Sequence, residues 1–416
     1  MIPIDEQLYP LPDGWQWCRL GDVTKNQYGY TAKAFKDESL PKMLRITDIQ
    51  DGAVNWHEVP NCEIDDEQKK KYLLQDNDIV IARTGATTGK SYIVSNPINS
   101  VFASYLIRLQ LSKSINVRYL YYFLQSDLYW QQISELSAGI AQPGVNSSKL
   151  RRMPFPLPPL DEQKRIVALL DELFADLDEA KVLAQSVVEG SKLRRAAILH
   201  KAFNGELSKL WRDEHGTTLD GWQKKFLSDA LISSKQKTND FSSSDLKYVG
   251  LENMEKNGGQ IFFQSANEVR STKNVFCAGD LLYGKLRPYL NKHGIAKFDG
   301  VCSTDILVFK ESEQAEIKFI NYFLSLPKFI EYAVANSKGI NLPRVSEKII
   351  LRAEIFLPPP EEQKEIVRLL DDLLGREQRT KELALKTVEH VELMKKLILA
   401  RAFRGELGTN KNLREI

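Results

Sequence analysis

Arg83-Thr84-Gly85-Ala86-Thr87-Thr88-Gly89-Lys90-Ser91 gathers two glycines, two cations and four hydroxyl residues into one short stretch. Such a set can cradle phosphate. A nucleotide-binding P-loop needs four residues between its first glycine and its Gly-Lys pair, so that successive N–H groups wrap the phosphates. Here only Ala86, Thr87 and Thr88 lie between Gly85 and Gly89, and the preceding position is Thr84. The runs on either side, Asp78–Ala82 and Tyr92-Ile93-Val94, both read as strands, whereas a P-loop opens a helix. The spacing therefore excludes an NTPase. It leaves a loop between two strands with chemistry suited to some other phosphate-bearing partner.

Other reactive residues are scattered. Cys18, Cys62, Cys277 and Cys302 show no Cys-x-x-Cys spacing, and His57, His200, His215, His293 and His390 are isolated. That pattern argues against zinc and for reduced cysteines in a cytoplasm. The 416 residues suffice for two or three cored domains, with 43% hydrophobic and 27% charged residues. No apolar run is long enough for a bilayer, and the N-terminus does not read as a signal peptide. The net charge is +2. Lys and Arg number 17 against 17 Asp and Glu over residues 1–155, and 21 against 18 over 208–355. Any binding to nucleic acid must then be concentrated in loops.

The elements that position these loops come in two copies. "LPPLDEQKRIVALLDEL" at 157–173 returns as "LPPPEEQKEIVRLLDDL" at 357–373, and "AILHKAFNGEL" at 197–207 as "LILARAFRGEL" at 397–407, at a constant offset of 200 residues. Such an offset is far beyond solenoid periods and means duplication of a whole domain-plus-helix unit. Fainter echoes link Pro12-Asp13-Gly14-Trp15 with Leu219-Asp220-Gly221-Trp222, and "NDIVIAR" at 77–83 with "GDLLYGK" at 279–285.

Each similar block predicts a long helix. It opens after Pro-Pro with acids in its first turn and stops at Gly205 or Gly405. Ile166, Leu170, Leu173, Leu177, Ala180, Ala184 and Val187 alternate in steps of four and three, a pairing seam. In the second block Ile366, Leu370, Leu373, Ala384, Val391 and Met394 follow it less cleanly, with Glu377 and Thr380 interrupting. About 40 residues give a helix roughly 60 Å long. The regions ahead of the blocks read as bent mixed sheets, each ending in an aromatic helix, "VRYLYYFLQSDLYWQQISEL" or "IKFINYFLSLPKFIEYAVAN". The fold class is α+β.

Two variable domains alternating with near-duplicate helices that open "LPPLDEQKRIV" and close "AFNGEL" resemble the specificity subunit of type I restriction-modification enzymes, over nearly the whole chain. The resemblance implies target recognition domains at residues 1–155 and 208–355. It implies spacer helices at 156–207 and, together with a C-terminal tail, at 356–416 that pair as an antiparallel coiled coil and serve as a ruler. Each domain would read half of a split, asymmetric target in double-stranded DNA. The implied partners are two methyltransferase subunits, which bring S-adenosylmethionine, and in the nuclease form two restriction-translocase subunits, which use ATP and Mg2+. No cofactor and no membrane contact is expected of this chain itself. Consistently, an adenine methyltransferase needs an Asn/Asp-Pro-Pro-aromatic loop, and the nearest string here is Asn96-Pro97-Ile98-Asn99.

Two pairs of loops form the expected DNA contacts. In the opening loop these are Arg83, Thr84, Thr87, Thr88 and Lys90, the N–H groups, hydroxyls and Lys90 for phosphate and Arg83 for a guanine edge. Its counterpart "GKLRPYLNK" offers Lys285, Arg287, Tyr289, Asn291 and Lys292. The last pair is "GIAQPGVNSSKL" and "GINLPRVSEKII", with Gln142, Asn146 and Ser147 facing Asn341 and Arg344. The "KAFNGEL" and "RAFRGEL" ends read either as capped helix ends or as docking sites for a methyltransferase subunit. The alternative function is a stand-alone sequence-specific DNA-binding regulator, which would bind its site tightly without partners.

Overall fold

The computed structural model describes residues 7–50, 52–137, 144–241, 245–267 and 269–407. The chain divides into two compact units. One comprises residues 1–184 with 386–416, the other residues 185–385. Both long helices, Leu160–Phe203 and Pro360–Phe403, run 44 residues and cross from one unit into the other.

The two units share one scaffold. In the first, the strands Thr24–Tyr28, Leu106–Leu111, Ile79–Ala82 and Ser91–Ile93 form an antiparallel sheet in that order. In the second, Leu231–Ser233, Ile306–Glu311, Leu281–Gly284 and His293–Ile295 repeat the order and the directions. A strand at the start of each region pairs with one at its end: Gln16–Arg19 with Pro154–Leu157, and Gln223–Phe226 with Glu354–Leu357. The expected bent sheet is thus divided. The first unit adds two small pairs, and the second adds a five-stranded mixed sheet in which Lys247–Val249 runs parallel to Gly300–Cys302.

The aromatic segment of each unit is two helices, not the expected one: Val117–Phe123 and Asp127–Ser137, then Ile317–Phe323 and Pro327–Ala335. At the first break Ser126 Oγ accepts from Tyr129 N at 3.3 Å, starting a new helix, and at the second Pro327 occupies a first-turn position. Their aromatic faces form the cores. Tyr119, Phe123 and Tyr129 are fully buried in one unit, Phe319 and Phe329 in the other.

The helix segments within each unit pair antiparallel. In the first, Lys181 meets Glu392 at 2.6 Å and Lys395 meets Asp178 at 2.5 Å, so one helix advances as the other retreats. All seven expected seam residues of the first long helix are buried or half-buried. In the second long helix Met394 is exposed instead, and Lys395 takes the inner position, with its ammonium 5.2 Å from the Phe174 ring centre. The interruption at Glu377 is matched in the second unit by Arg194, whose Nε and Nη2 donate to its carboxylate at 2.8–3.1 Å.

The duplicated "Glu-Gln" of each helix start locks helix to domain. Gln163 Oε1 accepts from Asn116 N at 2.7 Å, and its Nε2 donates to Ser114 O and Pro158 O. Gln363 makes the same three bonds to Glu316 N, Gln314 O and Pro358 O. Both glutamines are fully buried, so each bond satisfies a group that water cannot reach. The preceding acids differ. Glu362 is buried against Arg212 at 2.6 Å, Ser208 at 2.8 Å and Trp222 Nε1 at 3.0 Å, whereas Glu162 pairs with half-exposed Arg165 one helical turn along.

Candidate nucleic-acid interface

The opening loop is a tight hairpin. Ala82 N donates to Lys90 O and Gly89 N to Ala82 O, both at 2.8 Å, around a short 3-10 turn at Gly85–Thr87. The strand Ser91–Ile93 follows, as the spacing predicts. Gly85 and Gly89 have φ of 80° and 90°, which favours glycine. A Cβ on Gly89 would also lie 2.9 Å from Ile133, and Tyr129 Oη donates to Gly89 O at 2.7 Å. Gly89 therefore seats the hairpin on the Asp127–Ser137 helix.

This geometry redistributes the expected phosphate contacts. The N–H groups of Arg83, Thr88, Gly89 and Lys90 are all bonded within the fold. Thr88 is buried, and its hydroxyl donates to Gly85 O at 2.8 Å. Thr88 thus serves the turn. Lys90 is exposed, and Thr84 and Thr87 are half-exposed. Arg83 is half-buried, with its guanidinium 4.8 Å from the Tyr28 ring centre.

Asn146 and Ser147 come to the same place. Val145 N donates to Arg83 O at 2.9 Å, and Thr84 bridges Gly144. Asn146 Oδ1 caps the helix Ser147–Arg152 by accepting from Lys149 N at 2.8 Å. That bond uses one lone pair of the amide oxygen and ties Asn146 to the helix start. Ser147 N donates to Tyr28 Oη at 2.9 Å. Gln142 lies outside the described residues.

The second unit assembles its loops in the same way. Val345 N donates to Lys285 O at 3.0 Å, and Arg287 N to Pro343 O at 2.7 Å. Lys338 and Arg344 exchange backbone bonds of 2.9 and 2.8 Å, closing a hairpin that exposes Asn341. Arg287, Tyr289 and Arg344 are exposed, while Lys285 and Lys292 are half-buried, with Lys292 Nζ donating to Leu251 O at 2.6 Å. Asn291 is the exception. It is buried with φ 44°, and its Nδ2 donates to Leu324 O at 2.8 Å. Like Thr88, it serves the fold.

Sequence reasoning missed three neighbours. Tyr28 and Tyr105 flank Arg83, and Asp305 accepts from Arg344 at 3.3–3.4 Å beside Lys285. Tyr105 is 61% exposed, a large aromatic facing solvent next to a cation. The "AFNGEL" and "AFRGEL" ends turn inward. Phe403 is buried on Tyr119 and Phe123 in the first unit, and Phe203 packs on Phe319 and Phe323 in the second. Their phenylalanines are thus core, not a free docking face. Among the described residues no cluster of His, Cys, Asp and Glu is arranged to hold a metal, and no helix is long and apolar enough to cross a membrane.

Two loops on a shared scaffold, rich in cations and hydroxyls and repeated once, fit the comparisons with known proteins. The family model described as type I restriction modification DNA specificity domain matches residues 12–185 and again 220–387. The type I restriction enzyme EcoKI specificity subunit of Escherichia coli K12 is 27% identical over 432 residues, spanning 95% of this chain and 90% of its own. The MjaVIII specificity subunit of Methanocaldococcus jannaschii is 25% identical, spanning 97% and 95%. The HsdS subunit from Thermoanaerobacter tengcongensis shares the fold, with a TM-score of 0.65 at 19% identity over 97% of this chain and 100% of that one. So does a chain solved in work on complex assembly and conformational transition of the type I R-M system, with a TM-score of 0.69 at 20% identity over 96% and 100%. With two copies of the domain matched across most of its length, the chain belongs to the type I restriction-modification DNA specificity family.

Proposed function

We propose that this chain is the DNA sequence-recognition subunit of a type I restriction-modification complex. It reads a split, asymmetric target in double-stranded DNA, one half-site per recognition domain. The observation that carries this reading is the pairing of loops on a duplicated scaffold: the same backbone presents different side chains in the two units, so two different half-sites are read. The contacts fall to Arg83, Thr84, Thr87, Lys90 and Ser147 in one unit and to Lys285, Arg287, Tyr289, Lys292, Asn341 and Arg344 in the other.

The chain is non-catalytic and acts in the cytoplasm with two methyltransferase subunits and, in the nuclease form, two restriction subunits. S-adenosylmethionine, ATP and Mg2+ belong to those partners. Exposed Val182, Leu393 and Leu397 on the paired helices of the first unit support docking of a partner there. The long helices set the distance between the half-sites.

The test is a domain exchange. Residues 1–155 are replaced by the first domain of another family member, and methylated adenines are mapped in the presence of the methyltransferase partner. One half of the target should change and the other persist, because separate cores contribute nearly independently. Change in both halves, or methylation without sequence preference, would reject the reading. A stand-alone regulator would instead bind one site tightly and direct no methylation.

A further inference from the structure

The duplication allows the two units to be aligned by hydrogen-bond register. In the first sheet Tyr28 lies opposite Ile107. In the second, Ser233 lies opposite Phe309 and Ser234 N donates to Val308 O at 2.9 Å, which brings Lys235 to the level of Leu307. Position 28 therefore corresponds to 235. Arg83 N donates to Tyr105 O at 3.0 Å and Lys285 N to Asp305 O at 2.8 Å, which equates 83 with 285 and 105 with 305. Val145 and Val345, both buried, strap these positions from the other side. A further link is kept. Tyr28 Oη accepts from the backbone of Ser147, and Lys235 Nζ donates to the carboxylate of the equivalent Glu347.

The frame is thus the same, while the groups it presents are not. The first unit shows Tyr28, Arg83 and Tyr105, one cation with aromatic rings, and the tyrosines are 39% and 61% exposed. The second shows Lys235, Lys285 and Asp305, with Asp305 paired to exposed Arg344 and Lys235 to Glu347. Residues beneath keep their character: Val145 matches Val345, Leu150 matches Ile350 and Tyr129 matches Phe329, all buried. Divergence confined to the outer face of a retained frame is what two readers of different sequences require. A carboxylate facing a polyanion is costly unless a cation or a base amino group pairs with it, and Asp305 keeps acceptor sites for a base amino group beyond its Arg344 pair. Arginine donates instead to a guanine edge, and an aromatic side chain makes apolar contact with a thymine methyl.

We propose that the equivalent triads Tyr28, Arg83, Tyr105 and Lys235, Lys285, Asp305 set the base preference of the two half-sites, the first through donor and apolar contacts and the second through Asp305 accepting from a base amino group. This rests on the DNA-recognition reading above and assigns specificity to four residues outside the loops, Tyr28, Tyr105, Lys235 and Asp305.

The full chain with its methyltransferase partner is given a randomised duplex library, and preference is read at every position. Tyr105→Ala should lower discrimination by on the order of tenfold at one or two adjacent base pairs of one half-site. Asp305→Ala should do so in the other half-site, at a base pair whose preferred base presents an amino group. Tyr28→Ala should lower discrimination in the same half-site as Tyr105→Ala. For any variant that no longer methylates, competition between the wild-type target and its single-base changes gives the same readout. Unchanged preference at all positions in Tyr105→Ala and Asp305→Ala, or a change in both half-sites from either one, overturns the proposal while leaving DNA recognition standing. Methylation without preference by the wild-type complex would reject the underlying reading and this inference with it.

Discussion

His293 shows how one residue ties an exposed loop of the second unit to its core. It follows directly after the Lys285–Lys292 loop and is fully buried, with Nδ1 2.8 Å from Asn321 Oδ1. Burial holds its pKa down to about 4; the Asn321 bond opposes this and Arg195 adds to it. Between that value and its unfolded value of about 6.5 the unfolded chain binds a proton that the folded one does not. The stability from the neutral ring is therefore complete above pH 6.5 and lost as pH falls toward 4, a loss on the order of 3 kcal/mol. Protection of the Leu281–Ile295 hairpin, read as hydrogen exchange relative to the intrinsic rate at each pH, should fall over this window in the wild type, and less so in His293→Asn. Equal slopes would discount the residue. The loops around it were legible in the sequence from their cations and glycines. The internal duties of Thr88, Asn146 and Asn291 were not, because a side chain bonded to its own backbone looks the same in sequence as one free to bind DNA. Tyr28 and Tyr105 escaped for another reason: sheet register alone brings them to Arg83.

The long helices were the most legible elements, since Pro-Pro, first-turn acids and a terminal glycine bracket them from 160 to 203 and from 360 to 403. Gly205 and Gly405 do end them in the left-handed region, at φ 82° and 73°. The first break in the aromatic helices was hidden, because no proline or glycine marks it, whereas Pro327 marks the second and the single-helix reading passed over it. Equivalent helix starts also differ in a way repetition conceals. Removing the Glu362 carboxylate strands a buried Arg212, so Glu362→Ala should cost about 3–5 kcal/mol. Glu162→Ala, at the matching position with a half-exposed partner, should cost less than about 1 kcal/mol. Denaturant unfolding of both variants decides this. Similar losses would mean that the buried pair carries no special weight.

For the whole molecule the ruler is the quantity to test. Deleting one heptad from both long helices removes roughly 10 Å of each, about three base pairs of DNA rise. A library of targets with every gap length, methylated by the shortened protein with its partner, should shift to a shorter preferred gap with the same bases read. A preferred gap that stays put while activity survives would assign spacing to the partner subunits. The family was readable from the resemblance that the repeated "LPPLDEQKRIV" and "AFNGEL" blocks carry. The partition of the chain was less so: the compact units divide within the helices, since each helix contributes packing residues at both ends.

That partition has a consequence for biosynthesis. The second unit is one continuous stretch, residues 185–385, and has all its parts once that stretch has left the ribosome. The first is begun earliest, yet Leu399, Ala402, Phe403 and Leu407 fill its core. At about 5–20 residues per second, the region translated first waits, with Tyr119 and Phe123 uncovered, until the last turns of the second long helix arrive. The order of completion is the reverse of the order of synthesis. The nascent N-terminal region is then the part most in need of a chaperone, and a ribosome that stops short of residue 399 releases a chain in which the later-made unit is whole and the earlier-made one is open.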